Sequence, residues 1–164
     1  HTGGFTNNFE YKGFDLSVFF QWSYGNDVLN ANRLFFDSGF QKKRELNQYA
    51  SYTNRWTPEN PNSDIPAATN SSSNLVISSR VVEDASFLRL KTVTLGYTVP
   101  KTFLKKYKID NARLYVAAQN LWTITGYSGY DPEVSIRSGG LTPGLDFSSY
   151  PRALSVSFGI NLGF

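Results

Sequence analysis

The most informative pattern in the chain is a strict alternation of apolar and small or polar residues over its last eleven positions. The apolar set is Leu154, Val156, Phe158, Ile160, Leu162 and Phe164. Because side chains on a β-strand alternate between two faces, this pattern predicts a strand with one uncharged apolar face. Soluble strands also alternate, but they are usually about five or six residues long, whereas a tilted strand of about 9–11 residues spans a bilayer. The length of the predicted strand therefore favours contact between its apolar face and lipid.

Similar alternation recurs along the chain and predicts five antiparallel strands, at about 3–10, 14–24, 85–99, 111–124 and 152–164. The second strand carries Trp22 and Tyr24 at one end and follows Tyr11 at the other, as in the aromatic girdles of membrane barrels. In the third strand, Arg89 and Lys91 share the parity of the apolar set. Either this part stands above the bilayer, or a β-bulge shifts the register.

The connections between these strands alternate in length. Those after residues 10 and 99 are short, whereas 25–84 and 125–150 are long and polar, with one or two short helices expected between about 28 and 49. Short turns on one side and long loops on the other are typical of outer-membrane barrels. We expect the C-terminus to be periplasmic and both long loops to be extracellular.

Composition narrows the classes of function. The chain has 164 residues, no Cys, one His and a net charge of +3, which is too small to indicate nucleic-acid binding. Without a thiol or a second His there is no evident nucleophile and base, so we expect neither an enzyme nor a cofactor. No apolar run approaches the roughly 18 residues of a membrane helix. An aromatic content of 16% with slightly negative mean hydropathy suits a membrane barrel, and also a soluble sugar-binding β-sandwich.

The chain contains a series of short motifs: WTPENP at 56–61, VEDASFLRLK at 82–91, TLGYTVP at 94–100, RLYV at 113–116, AQNL at 118–121, SGYDPE at 128–133, YPR at 150–152 and FGINL at 158–162 with Phe164. Taken in this order, these motifs resemble those of SusC/RagA-type TonB-linked outer-membrane transporters of Bacteroidetes bacteria. The matching blocks cover nearly the whole chain.

The resemblance implies an all-β transmembrane barrel of 22 strands, closed by a plug and energised through TonB. It also implies a SusD-like lipoprotein that covers the barrel as a lid, and import of oligosaccharides or peptides. This chain, residues 1–164, would be about five C-terminal strands of such a barrel, without the plug. Because five strands leave an open edge that lipid cannot satisfy, and because the chain begins at His1 and contains no Met, we expect it to be a fragment of a longer protein.

Two groups of residues are candidate sites. The resemblance implies that the alternating residues from Leu154 to Phe164 are the signal for the barrel-assembly machinery, since a strand of this kind can add to an open sheet edge; alternatively they only face the lipid bilayer. Candidate ligand-facing or lid-facing residues in the loops are Trp56, Tyr127, Tyr130 and Asp131, with Trp122 as a further aromatic. The alternative for the aromatics is loop packing and interface anchoring.

Charged clusters offer weaker hypotheses. Asp131, Glu133 and Asp146 have the chemistry of a calcium site or a catalytic carboxylate pair, but the Asp-Pro-Glu segment more readily shapes a turn. The turn that holds Lys101, Lys105, Lys106 and Lys108 is interpreted as solvated and periplasmic. Three functions remain: a TonB-dependent nutrient importer, a secreted soluble glycan-binding β-sandwich, and a passive outer-membrane barrel.

Overall fold

The computed structural model describes residues 1–39, 47–69, 75–135 and 144–164. These residues form two compact units. His1–Gly25, Ser86–Gly126 and Arg152–Phe164 make up one, which we call the sheet unit, and Asn26–Ala85 with Tyr127–Pro151 make up the other, the loop unit.

Five long strands and three short ones lie within the described residues, and the three short strands lie in the connections that the sequence predicted as long polar loops. The strands are β1 (Thr2–Tyr11), β2 (Phe14–Ser23), β3 (Asp27–Asn30), β4 (Val82–Asp84), β5 (Phe87–Thr98), β6 (Asn111–Thr125), β7 (Leu145–Asp146) and β8 (Ser155–Gly163). The α-helices are α1 (Ala31–Phe36) and α2 (Lys101–Leu104), and single 3₁₀ turns occur at Ala50–Asn54, Ser79–Val81 and Lys105–Tyr107.

Five long strands pair in the order β1-β2-β5-β6-β8, and every pair is antiparallel. A two-residue turn joins β1 to β2; both of its residues, Lys12 and Gly13, have positive φ (47° and 88°), as a tight hairpin turn requires. The antiparallel all-β fold class expected from the sequence is confirmed. Both outer strands, β1 and β8, have a neighbour on one side only within the described sheet.

The register places most of the apolar residues of the five strands on one face. One row across the sheet consists of Phe9, Leu16, Leu95, Val116 and Phe158. The next row toward the short turns consists of Tyr11, Phe14, Tyr97, Leu114 and Ile160. We call this side the apolar face. Phe158 and Ile160 are 82% and 63% exposed, so no other described part of the chain covers them.

The opposite side, the polar face, carries small and hydrophilic residues. Its central row consists of Asn8, Ser17, Thr94, Ala117 and Ser157. Phe19 also lies on this side, opposite Thr6 and Thr92. The sheet therefore separates an apolar surface from a hydrophilic one, as a barrel wall between lipid and an aqueous interior does.

A β-bulge resolves the parity conflict of the third predicted strand. Leu90 pairs with Phe20 and Thr92 pairs with Phe19, so Lys91 is an extra residue in β5. The shift places Leu88 and Leu90 on the apolar face and moves Arg89 to the polar face, where it is buried. Of the two alternatives for this segment, the bulge is the one present in the structure.

The loop unit is built around β3. This short strand pairs antiparallel with β4 and parallel with β7, forming a small three-stranded sheet. Val28, Ala85 and Tyr127 form its buried apolar cluster. The long connections thus contain regular elements, including one helix in the range where helices were expected; residues 40–46, 70–74 and 136–143 of these connections lie outside the described residues. None of the described helices has the length and hydrophobicity that a membrane crossing requires.

Candidate functional site

A polar network organises the loop unit around Glu83. Its carboxylate accepts hydrogen bonds from the Asn30 amide at 3.0 Å and from the backbone N–H and hydroxyl of Ser128 at 3.0 and 2.9 Å, and Arg33 lies 3.4 Å away. Burial by itself raises the pKa of Glu83, but these donors and the Arg33 charge outweigh it, so the pKa lies below its usual value. Glu83 is therefore an ionised cross-link between β4, β3 and the segment after β6.

Asp37 is a second fixed charge in the same unit. Its side chain is fully buried and contacts Arg33 at 3.4 Å, Arg80 at 3.2 Å and the Ser51 hydroxyl at 3.0 Å. A buried carboxylate is stable only when it is paired and hydrogen-bonded, and two cations and a hydroxyl meet that need here. Asp37 thus ties α1 to the turns at 50–54 and 79–81.

Tyr127 connects the apolar cluster to this polar framework. It is 6% exposed, and its hydroxyl donates a 2.7 Å hydrogen bond to Asp146. Burial, together with the hydrogen bond to Asp146 and its negative charge, raises the pKa of Tyr127, which keeps the phenol protonated. Tyr127 is thus a core residue of the loop unit rather than a surface aromatic.

Beside this framework lies an open groove with a volume of about 420 Å³. Its lining consists of Asn32, Phe36, Tyr49, Tyr130, Ser148, Ser149, Tyr150 and Pro151. We call this the aromatic groove. Tyr130 and Tyr150 expose 82% and 88% of their surface, whereas the Tyr49 ring packs against Phe36 at a centroid distance of 5.5 Å.

The chemistry of the aromatic groove is apolar with uncharged polar groups. The lining contains only Asn, Ser, Pro, Phe and Tyr residues, none of them Asp, Glu, Lys, Arg or His. Burial raises the pKa of the Tyr49 phenol above its usual value. The Asn32 amide accepts a 2.7 Å hydrogen bond from the Ser148 backbone, which fixes one wall. Exposed rings can stack on the flat surface of a ligand, and the neighbouring amide and hydroxyl groups can form hydrogen bonds with the polar groups at the edge of that ligand.

The structure places the four loop residues selected from the sequence in different surroundings: one lies in the groove, one is exposed outside it and two are buried. Tyr130 lines the aromatic groove, and Trp56 is exposed but lies outside its lining. Tyr127 and Asp131 are 6% and 4% exposed, which leaves them little surface for a ligand. The groove residues that the sequence did not reveal, Phe36 and Tyr150 among them, come from distant parts of the chain and have no local signature.

The acidic residues near Asp131 serve as turn and framework groups. Asp131 accepts the Glu133 N–H at 2.9 Å, which closes an Asx-type turn at the Asp-Pro-Glu segment. Asp146 is engaged by Tyr127 and by the Ser149 backbone. Within the described ranges, no group of three or more His, Cys, Asp or Glu side chains has the arrangement of a metal site.

The alternating residues from Leu154 to Phe164 all carry exposed apolar side chains. The strand itself, β8, begins at Ser155 and ends at Gly163, so Leu154 and Phe164 flank the paired region. Trp122 lies on the apolar face opposite Leu90 and is half exposed.

An ion pair on the polar face was not evident from the sequence. Arg113 on β6 donates to Asp15 on β2 through two nitrogens, one of them at 3.0 Å, and the pair bridges the intervening strand β5. Gly96 of β5 lies beneath it, and a Cβ there would lie 2.6 Å from an Asp15 oxygen. The missing side chain at Gly96 therefore makes room for the pair.

Comparison with known proteins gives matches along nearly the whole chain. TonB-dependent receptor P3 of Formosa agariphila is 39% identical over 168 residues, covering 99% of this chain and 16% of the receptor. TonB-dependent receptor SusC of Bacteroides thetaiotaomicron is 30% identical over 162 residues, covering 98% of this chain and 15% of SusC. No protein-family model matches the sequence.

Solved structures agree with these sequence relatives. A chain of the RagAB peptide transporter superposes with a TM-score of 0.81 at 34% identity, and one of the RagAB peptide importer in the open-open state superposes with 0.82 at 34% identity. Each match covers 99% of this chain and 17% of the other. The chain spans about one sixth of the length of the proteins it matches.

Proposed function

We propose, since the chain belongs to the family of SusC/RagA-type TonB-dependent receptors, that it forms part of the wall and outer loops of an outer-membrane nutrient importer. The observation that carries this proposal is the apolar face. Its rows continue across five strands and expose large apolar side chains, Phe158 and Ile160 among them. A surface of this extent and composition requires lipid or a large protein partner.

The direction of the strands supports a specific placement. The turn at Lys12-Gly13 and the connection from β5 to β6 lie at one end of the sheet, and the chain leaves β2 and enters β5 at the other end. In outer-membrane barrels the short turns are periplasmic and the long loops extracellular. We therefore assign the loop unit to the cell surface and the end of β8 to the periplasm, in a subunit that crosses the membrane many times.

The complete receptor would import oligosaccharides or peptides with energy supplied through TonB and with a SusD-like lipoprotein at its outer side. The similarity to the RagAB peptide transporter supports peptides as one substrate class. Oligosaccharides as the other class, and the lipoprotein partner, rest on the motif resemblance to SusC/RagA-type transporters. The alternatives are a secreted glycan-binding β-sandwich and a passive barrel. Neither accounts for sequence similarity to TonB-dependent receptors along the whole chain.

Uptake by cells tests the importer proposal directly. Cells that express the whole receptor should take up the substrate, and deletion of TonB or collapse of the inner-membrane proton gradient should abolish that uptake. Uptake that persists without TonB would point to the passive barrel. If the purified protein stays monomeric and folded without detergent, the soluble sandwich is correct and the importer proposal fails.

The aromatic groove is the part of this chain that we propose faces the substrate or the lipoprotein lid. Tyr130 and Tyr150 supply exposed rings, and the neutral lining favours an uncharged ligand such as a pyranose ring or an apolar peptide segment. Alanine at both tyrosines should weaken binding of the transported ligand or of the lipoprotein to the purified receptor about tenfold. Trp56→Ala is the matched control, because Trp56 is exposed in the same unit but outside the groove; equal effects would refute the assignment.

The alternating segment from Leu154 to Phe164 is proposed as the signal for the barrel-assembly machinery. The support is that β8 is an outer strand of the described sheet and exposes every apolar side chain of the set. Phe164→Ala should lower the amount of receptor with heat-modifiable migration on gels, whereas Asn161→Ala on the polar face should not. Unchanged levels of folded receptor in the Phe164 variant would leave lipid contact as the only role.

A further inference from the structure

The connection between β5 and β6 combines exposed cations with exposed aromatic rings. Lys101, Lys105, Lys106 and Lys108 all lie at its surface, and so do Phe103 and Tyr107, with 69% and 67% of their side chains exposed. We call residues 99–110 the basic turn. Single exposed apolar side chains are ordinary on a protein surface, but two large exposed rings on one short turn are more than the lysines alone account for.

The basic turn is a folded element and not an irregular connection. α2 continues into a 3₁₀ turn, and hydrogen bonds from Phe103 to Pro100 at 3.0 Å and from Lys108 to Lys105 at 3.3 Å close its backbone. Leu104 is buried beneath the turn. Because Leu104 occupies the inner side, Phe103 and the lysines are held on the outer side.

The basic turn adjoins the apolar face. The Val99 N–H donates to Ala112, and Ala112 lies opposite Leu162 in the apolar register. Ala112 is buried although Leu162 on the same face is half exposed, and α2 packs against β6 at this end of the sheet. The turn thus extends the apolar face at its rim, where Tyr11 and Phe14 already expose aromatic rings.

The charge of the basic turn is not neutralised locally. No described carboxylate forms an ion pair with any of its four lysines, and the segment 99–110 carries only one acidic residue, Asp110. Lys106 lies 6.0 Å from the centre of the Tyr107 ring, so a cation and a ring project side by side. Rings at the depth of lipid headgroups with lysines just outside them match an anionic membrane surface.

We propose that the basic turn binds the phosphate groups of anionic phospholipids at the membrane surface, with Phe103 and Tyr107 inserted among the headgroups. The lysines supply the attraction for negative charge, and the rings hold the turn at the interface. The proposal rests on the placement of the apolar face in lipid that we propose above. It replaces the solvated turn expected from the lysines alone, because the structure adds exposed rings and contact with the sheet rim.

The test uses the whole receptor in nanodiscs of phosphatidylcholine or phosphatidylglycerol. A fluorophore on Thr102→Cys, in a receptor otherwise free of cysteine, reports quenching by lipids that carry a nitroxide on the headgroup. Thr102 is exposed within the turn, and the chain itself has no cysteine. A second label at Val93→Cys on the apolar face reports quenching by nitroxides on the acyl chains and shows independently that the sheet is embedded.

Quenching at position 102 should be stronger with phosphatidylglycerol than with phosphatidylcholine, and replacement of all four lysines by glutamine should remove that preference. Replacement by arginine should retain it, because the charge is kept, and 1 M salt should weaken it, since the screening length falls to about 3 Å. Quenching at 102 that is equal for both lipids, or a preference that survives the glutamine variant, overturns the proposal. If position 93 is quenched while 102 is not, only this inference fails; if neither is quenched, the membrane placement fails as well.

Discussion

An arginine placed on either face of the central strand distinguishes lipid from an aqueous interior most directly. Val93 of β5 lies on the apolar face between Val18 and Ala118, and the next residue, Thr94, lies on the polar face between Ser17 and Ala117. Both are partly buried and have a strand on each side. Val93→Arg and Thr94→Arg are therefore matched in depth, strand and local burial, and differ only in the side that receives the charge.

The expected cost follows from the position of Val93 along the strand. β5 ends at Thr98, five residues further on, which corresponds to about 17 Å at about 3.4 Å per residue. With a strand tilt of about 35–45°, Val93 lies roughly 13 Å above the short-turn rim, near the middle of an apolar band about 25 Å tall. Arginine on the lipid side at that depth costs about 2–4 kcal/mol. Thr94→Arg, on the hydrophilic side, should cost about 1 kcal/mol or less.

The assay is urea unfolding of the whole receptor reconstituted into lipid vesicles, followed by the change in its heat-modifiable migration. A cost of about 2–4 kcal/mol lowers the folding equilibrium roughly 30-fold to several hundred-fold, because about 1.4 kcal/mol corresponds to a factor of ten. Val93→Lys and Thr94→Lys should repeat the asymmetry. Equal destabilisation at the two positions, or greater loss at Thr94, would refute the assignment of the apolar face to lipid.

Three further predictions concern packing and pH. Gly159→Val should destabilise the receptor by about 1–3 kcal/mol, because the Tyr115 ring occupies the space of a Cβ at that position; urea titration in a double-mutant cycle with Tyr115→Ala should show that the two effects are not additive. Gly96→Val should break the ion pair of Arg113 with Asp15 and lower the urea midpoint, whereas the same change in a receptor that already carries Asp15→Ala and Arg113→Ala should cost little more than those two changes alone, because both side chains that meet the added Cβ are gone. Because the pKa of Glu83 is lowered in the folded protein, its ionised form stabilises the loop unit at pH values above the pKa of Glu in the unfolded chain, about 4.3, and this contribution is lost as the pH falls through the folded pKa. Proteolytic nicking of the loop unit should therefore increase at acid pH. Glu83→Gln should remove that component of the pH dependence.

The structure resolves one ambiguity that the alternation alone left open. The parity of Arg89 and Lys91 conflicted with that of Val93, and sequence reasoning offered either a segment outside the bilayer or a bulge. The bulge at Lys91 is established by the shift in pairing with β2 and β6, because a break in the alternation alone does not distinguish an inserted residue from a strand segment outside the bilayer. It returns Leu88 and Leu90 to the apolar face.

The loop unit shows where sequence reasoning stops. The strands β3, β4 and β7 have only four, three and two residues, so no period can be read from them. β3 pairs with β7 at Leu29 and Leu145, positions separated by most of the chain. Tyr127 was a reasonable candidate for ligand contact by residue type, yet its hydroxyl is used internally by Asp146.

The sequence by itself determined the long strands and most of their two faces, because side chains on a strand alternate with a period of two. Its motifs, and not the alternation, indicated the family. Only the tertiary structure decided the register between strands, the ion pair of Asp15 and Arg113 across Gly96, and the convergence of Tyr49, Tyr130 and other rings in the aromatic groove. These features depend on contacts between residues far apart in the chain, and such contacts follow from how strands and loops pack, which local residue order does not specify.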